Sequence, residues 1–154
     1  MRTIIIDGNN LIHQIPELKK RFQENKKTVV LSLIKTVKSK IKKVKLIFVF
    51  DGYGDNSNNI IFSGNSTADE VIRKIIEDNY EKEILIVISS DRGITNLARI
   101  CGCEVKTSQD FWKELNPASG TKNKNINQLL YLEEKEKPER ISKKELDEFK
   151  KYFT

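Results

Sequence analysis

Residues 45–52 read Lys-Leu-Ile-Phe-Val-Phe-Asp-Gly, an apolar run that stops at an Asp-Gly turn pair. Because its odd and even positions are both apolar, the run predicts a strand buried on both faces. The same design recurs on either side. Thr3–Ile6 leads into Asp7-Gly8-Asn9-Asn10, and Ile84–Ile88 (ILIVI) leads into Ser89-Ser90-Asp91. Ile60–Phe62 and Cys103–Lys106 are shorter strand candidates. Helical patterns lie between them. Val30, Leu33, Ile34, Val37 and Ile41 have helical spacing over Thr28–Lys43, with Lys35, Lys38 and Lys42 on another face. Residues 10–22 predict a helix, with Pro16 as its weak point. Thr67-Ala-Asp-Glu70 has the form of a capping box ahead of Val71, Ile72, Ile75 and Ile76. A helix after Asp91 ends at Gly102, a C-cap residue, and Ser108 is placed to cap a helix through Leu115. Residues 52–59 are rich in Gly, Asp, Asn and Ser and read as a loop. Strands alternating with helices, each strand apolar throughout, predict a three-layer α/β/α fold around a central, mostly parallel sheet.

At 154 residues the chain fits one domain. The pattern divides it into a folded domain at 1–116 and a polar extension at 117–154. That extension ends in a short helix over Ser142–Tyr152, anchored by Leu146 and Phe149. No apolar run is long enough to span a membrane, and Asp7 interrupts the first apolar run too early for a signal peptide. Cys101 and Cys103 lie too close together for a structural disulfide and read as small buried side chains in a reducing, cytoplasmic setting.

The net charge of +6 is unevenly spread. Residues 14–45 carry eleven Lys/Arg against two Asp/Glu, net +9, whereas residues 46–118 carry seven against twelve, net −5. The basic part reads as a surface for a polyanion. A Lys-rich helix is as often only a solvated face, and the sign asymmetry is what favours the functional reading.

Parallel strands end on one edge, where ligands of such sheets bind. Asp7, Asp51 and Asp91 each follow a strong strand, and Asp69 opens the helix after the 52–59 loop, so all four can meet there. Clustered carboxylates resist ionising together. A divalent cation such as Mg²⁺ relieves that, prefers oxygen ligands, shares its shell with phosphate and lowers the pKa of a bound water. Each aspartate also has an ordinary explanation: Asp-Gly is a turn pair, and Asp69 and Asp91 suit the first turn of a helix. Glu70 is more a capping partner than a ligand. Asn9 and Asn10 either hold Asp7, touch phosphate or make the turn.

Other chemistry has less support. His13 is the single histidine and reads as a helix-surface residue. The chain holds neither G-x-x-x-x-G-K-[ST] nor G-x-G-x-x-G, so no nucleotide cofactor is expected. Tyr53, Phe62, Phe111 and Trp112 could stack on bases, although Phe111 and Trp112 also suit core or rim packing.

The segments IIIDGNNLIH, IFVFDG, STADEVI, VISSDRGI, ARICG and SQDFWKEL, in that order over residues 2–116, resemble the YacP-like branch of the NYN domains, within the PIN-like nuclease group. The resemblance implies a metal-dependent ribonuclease using Mg²⁺ or Mn²⁺. Asp7, Asp69 and Asp91 match the acidic site, Asp51 is a further member, and Asn9, Ser90 and Arg92 are its neighbours. It further implies association with the ribosome and cleavage of mRNA. The loop DGYGDNSNNIIFSGN is short and lacks basic residues, which shifts the expected grip on RNA to Arg92 and to Lys35, Lys38 and Lys42.

The leading expectation is therefore a metal-dependent endoribonuclease. One alternative is a non-catalytic RNA- or ribosome-binding module on the same fold. Another is a phospho-acceptor signalling domain using Ser89 or Ser90 with Lys106. The lone Asp7 on the first strand and the basic segment both argue against that last reading.

Overall fold

The computed structural model describes residues 2–116 and 142–150, excluding the side chains of residues 145 and 148–150. The elements run β1 (Arg2–Asp7), α1 (Gly8–Gln14), α2 (Pro16–Glu24), α3 (Lys26–Lys40), β2 (Lys45–Phe50), β3 (Ile60–Phe62), α4 (Ala68–Asn79), β4 (Ile84–Ile88), α5 (Arg92–Ile100), β5 (Glu104–Lys106), α6 (Ser108–Leu115) and α7 (Lys143–Lys150). The strands form one all-parallel sheet in the order β3-β2-β1-β4-β5.

Alternation along the strands divides the core in two. Ile4, Ile6, Phe48, Phe50, Ile86 and Ile88 face α1, α2, α3 and α6. Ile5, Ile47, Val49, Leu85 and Val87 face α4 and α5, joined by Leu146 of α7, which is 1% exposed. Phe149, the other anchor expected in the last helix, lies outside the described side chains. Cys101 and Cys103 are buried in this second core and unbridged.

Three local details differ from the sequence expectation. The helix expected over residues 10–22 is two helices broken at Ile15 (φ −108, ψ 110). Proline disfavours helical backbone in the residue before it and suits the first helical position, so Pro16 starts α2 rather than interrupting a longer helix. The basic helix starts earlier and stops earlier than Thr28–Lys43. Asn25 caps it by accepting from Thr28 N–H, and Ile41 turns in to the core, followed by Lys43 at φ 66. Lys42 is therefore off the helix. Thr107, not Ser108, caps α6, accepting from Asp110 N–H at 3.1 Å. Gly102 ends α5 as expected. At φ 77 it donates to Arg99 O while Cys103 N–H reaches Ala98 O, the paired closure of a Schellman motif.

Candidate active site

The order β3-β2-β1-β4-β5 reverses direction between β1 and β4. An open parallel sheet leaves a crevice beyond its strand ends at such a point. Asp7 sits there, at the end of β1. The register pairs Asp7 with Val49 and Ile6 with Ile88, so Ser89 comes level with Asp7. Asp51 and Asp91 each lie two residues beyond those levels, flanking Asp7 on the two neighbouring strand ends. Counting on from Ile5, Val49 and Val87 by twos gives Asp7, Asp51, Ser89 and Asp91, all toward the α4/α5 layer.

Each carboxylate is held by a helix N-terminus. Asp7 Oδ1 accepts from Asn10 N–H (3.3 Å), Asp91 Oδ1 from Ile94 N–H (3.1 Å) and Asp51 Oδ1 from Ala68 N–H (2.6 Å). The helix-start explanation is thus correct for one oxygen of Asp91, while Asp7 and Asp51, expected only as turn residues, also accept from helix N-termini, and these bonds aim the groups. Asp7 is the buried member, 6% exposed, and its Oδ2 accepts from the Ser89 hydroxyl at 2.9 Å. Ser89 Oγ in turn accepts from Asp91 N–H at 3.1 Å, tying the two aspartates together. Burial raises the Asp7 pKa from 3.8 to about 6, with smaller contributions from the charges of Asp51 and Asp91. The Ser89 and Asn10 hydrogen bonds act in the opposite direction. Close approach is built in at this turn. A Cβ on Gly8 would lie 2.2 Å from the Phe50 ring, so only glycine lets the chain turn here.

Asp69 is placed differently. It is half-buried at the start of α4, with Oδ2 3.0 Å from Arg73 Nε one turn later, out of line for a hydrogen bond. The Arg73 guanidinium reaches over Gly93, where an added Cβ would sit 2.3 Å from Nη2 and 3.2 Å from Asp91 Oδ1. A protein cation therefore already stands between Asp69 and the N-terminus of α5.

The two asparagines brace the edge. Asn9 Oδ1 accepts from Asp51 N–H at 2.7 Å. Asn10 Oδ1 accepts from Ser90 N–H (2.9 Å) and the Ser108 hydroxyl (2.7 Å). Ser90 Oγ accepts from Ser108 N–H (3.1 Å) and donates to Gln109 Oε1 (2.6 Å), so it supports the loop on the α6 side, away from the carboxylates. Arg92, the first residue of α5, is exposed beside Asp91. Lys35, Lys38 and Lys42 are exposed but are not gathered at this edge. The C-terminal end of α3 and Lys42 lie toward the start of β2, at the opposite edge of the sheet, while Lys26 and Lys27 at the helix start line a pocket with Asp51. Of the aromatic candidates, Tyr53 and Phe62 line that pocket, Phe111 is buried, and Trp112 packs against the first core. Lys106 is turned to Glu114, which removes the lysine that the phospho-acceptor reading required.

Two residues escaped the sequence reading of this site. Ser89 enters the sequence reading only as a supporting residue of the phospho-acceptor alternative, although its place two residues before Asp91 is the available signal. Arg73 was not singled out, although it stands at the i+4 spacing from Asp69 that forms helix ion pairs.

A divalent cation fits the chemistry of this donor set. The donors are carboxylate and hydroxyl oxygens, which suit hard cations, and a raised, buried carboxylate faces two others. Among the described residues no three acidic, histidine or cysteine side chains converge on one point. The edge thus offers one or two carboxylates to any one cation, and Mg²⁺ is commonly held by so few, with water and phosphate completing its shell.

A five-stranded parallel sheet with an acidic cluster at its switch point is a PIN-like nuclease fold. The chain belongs to the YacP-like NYN domain family, which it matches over residues 4–154. It is similar to a crystal structure of a point mutant of Rae1 (YacP) from Bacillus subtilis, at 26% identity over 75% of each chain and a TM-score of 0.63. It is also similar in fold to another crystal structure of Rae1 (YacP) from Bacillus subtilis, at 22% identity, covering 87% of this chain and 83% of that one with a TM-score of 0.63. No curated protein sequence matches the chain. Among the described residues, no helix is long and apolar enough to cross a membrane.

Proposed function

We propose that this protein is a metal-dependent endoribonuclease acting on RNA, with mRNA at the ribosome in the cytoplasm as its setting. The observation that carries the reading is Asp7, a buried carboxylate held between Asp51 and Asp91 at the switch point of the sheet. Such a group costs stability, and a site for a cation explains why it is there. Asp7 and Asp91 would hold Mg²⁺ or Mn²⁺, with Asp51 reached through water and Asp69 joining once Arg73 gives way. The cation supplies neutralisation of the scissile phosphate and activation of water. Ser89 keeps Asp7 oriented, Asn9 fixes the Asp51 backbone, and Asn10 fixes the Ser90 loop against α6. Arg92, exposed beside Asp91, would meet a phosphate oxygen. The Lys-rich segment with Lys35, Lys38 and Lys42 supports RNA farther from the cut.

The test is cleavage of purified RNA, with and without ribosomes, by wild type and Asp91→Asn. The expected result is cutting by wild type in Mg²⁺ or Mn²⁺ that chelator and the variant both abolish. Equal cutting by the variant refutes the assignment. One feature favours a second reading, an RNA- or ribosome-binding module without catalysis: Arg73 already neutralises Asp69. In that case wild type binds RNA and cuts none under any metal.

A further inference from the structure

On the opposite side of Asp51 from the aspartate cluster, a pocket of about 450 Å³ opens between α2, α3 and the β2–β3 edge. Its walls include Phe22, Phe50 and Phe62, and the Phe50 and Phe62 rings stack with centroids 5.6 Å apart. Leu31 and Tyr53 stand on its lip. They are 57% and 78% exposed, and they are the large hydrophobic side chains left exposed among the described residues. Solvated aromatic surface of this kind marks a binding surface when it rims a cavity. The Tyr53 hydroxyl donates to Asn65 Oδ1 at the exposed tip of the ring. Lys26 and Lys27 flank the pocket at the start of α3, whose first turn holds no acidic residue, and Lys26 Nζ lies 5.7 Å from the Phe22 ring centroid. Asn9 and Asp51 line it as well, so it is continuous with the catalytic edge.

We propose that this pocket takes an unstacked nucleobase of single-stranded RNA, one nucleotide removed from the phosphate at the aspartates, with Tyr53 as its stacking platform and Lys26 and Lys27 on the adjoining phosphates. The proposal rests on the RNA reading above and adds where the substrate is gripped. Flat aromatic walls beside lysines match a base on its anionic backbone, and this pairing is what single-strand sites are made of. The volume falls within the range of small-ligand pockets and holds one base with its ribose. A base paired in a helix cannot enter, so the pocket selects single strands or loops. Charge complementarity and continuity with Asp51 favour RNA here over a second copy of the chain.

The experiment measures binding in chelator, where nothing is cut. The probes are a fluorescent RNA of about eight nucleotides and an abasic ribose-phosphate oligomer of equal length. Tyr53→Ala is expected to weaken the RNA about tenfold and leave the abasic oligomer unchanged, whereas Tyr53→Phe keeps wild-type affinity. Lys26→Ala with Lys27→Ala is expected to weaken both probes and to flatten the salt dependence. Wild-type binding of RNA by Tyr53→Ala overturns the proposal, as does equal loss on both probes. Concentration-dependent dimers that Tyr53→Ala abolishes in sedimentation also overturn it, because a second copy is then the occupant. Cleavage measured in parallel separates the two readings. A weakened Tyr53→Ala with no cutting by wild type keeps the base pocket and refutes catalysis. An unweakened Tyr53→Ala with metal-dependent cutting does the reverse.

Discussion

Replacing Asp7 by Asn removes a charge that the fold holds at a cost. In the native state burial raises the Asp7 pKa from 3.8 to about 6. Between those values the native state binds a proton that the unfolded chain has released, so the contribution of Asp7 to stability falls as pH rises. The contribution is greatest below 3.8 and is fully lost above about 6. That gap converts to about 3 kcal/mol. Asn cannot ionise, yet it keeps the shape and can still accept from Asn10 N–H. Asp7→Asn is therefore expected to gain on wild type by about 3 kcal/mol between about pH 4 and about pH 8. In chelator this appears as a urea midpoint difference that grows by about 1.5–2 M over that range. Groups that titrate in both proteins cancel in the comparison. Millimolar Mn²⁺ or Mg²⁺ at the higher pH is expected to narrow the gap, because a cation that binds the ionised site stabilises wild type alone. A midpoint difference that is flat with pH would refute the claim that Asp7 is held ionised against its surroundings.

Arg73→Ala is expected to tighten divalent cation binding about threefold in calorimetric titration, because a half-exposed ion pair contributes only about 0.2–1 kcal/mol and competes with the cation for Asp69. Unchanged or weaker binding would show that Asp69 takes no part. Asn10→Ala leaves the Ser90 N–H and Ser108 hydroxyl without their shared acceptor, and an expected loss of about 1–3 kcal/mol in chemical denaturation checks that Asn10 joins the β4 loop to α6. Leu146→Ala is expected to cost about 2–5 kcal/mol in the same assay. A loss near zero would mean that α7 does not seal the second core.

Much of the fold was readable because parallel strands covered on both faces have no polar positions to confuse them. IIIDG, KLIFVFDG and ILIVISSD each announce both a buried strand and the carboxylate at its end. The same segments brought Asp7, Asp51 and Asp91 to one edge on topology alone. What escaped depended on tertiary geometry. Pro16 allows either a kinked helix or a break with a new start, and the burial of Leu11, Ile12 and Leu18 goes with the break that its local preferences favour. Periodicity places Lys35, Lys38 and Lys42 on a shared face, but it cannot say which end of α3 meets the edge that carries the aspartates. Because a helix between parallel strands runs back against them, its start lies beside the strand ends that carry the aspartates. The lysines at the site are thus the earliest ones, Lys26 and Lys27. Asp69 looked like the other aspartates in sequence, and only the fold shows Arg73 across from it.

Asp51 connects the two halves of this surface. Its carboxylate turns to the N-terminus of α4 on the side of Asp7, while its backbone is fixed by Asn9 at the end of the apolar pocket. An RNA strand crossing the edge would pass from lysines and aromatic rings, which bind any single strand, to carboxylates, which repel it unless a cation intervenes. Attraction and repulsion therefore fall on the two sides of Asp51. If the proposed function holds, RNA would bind in the basic and aromatic half without metal, and its phosphate would approach the acidic half only once a cation had answered the charge there. Arg73 answers part of that charge in the resting protein. On this layout RNA affinity should depend chiefly on the pocket and hardly on Asp91, whereas cutting should depend on both.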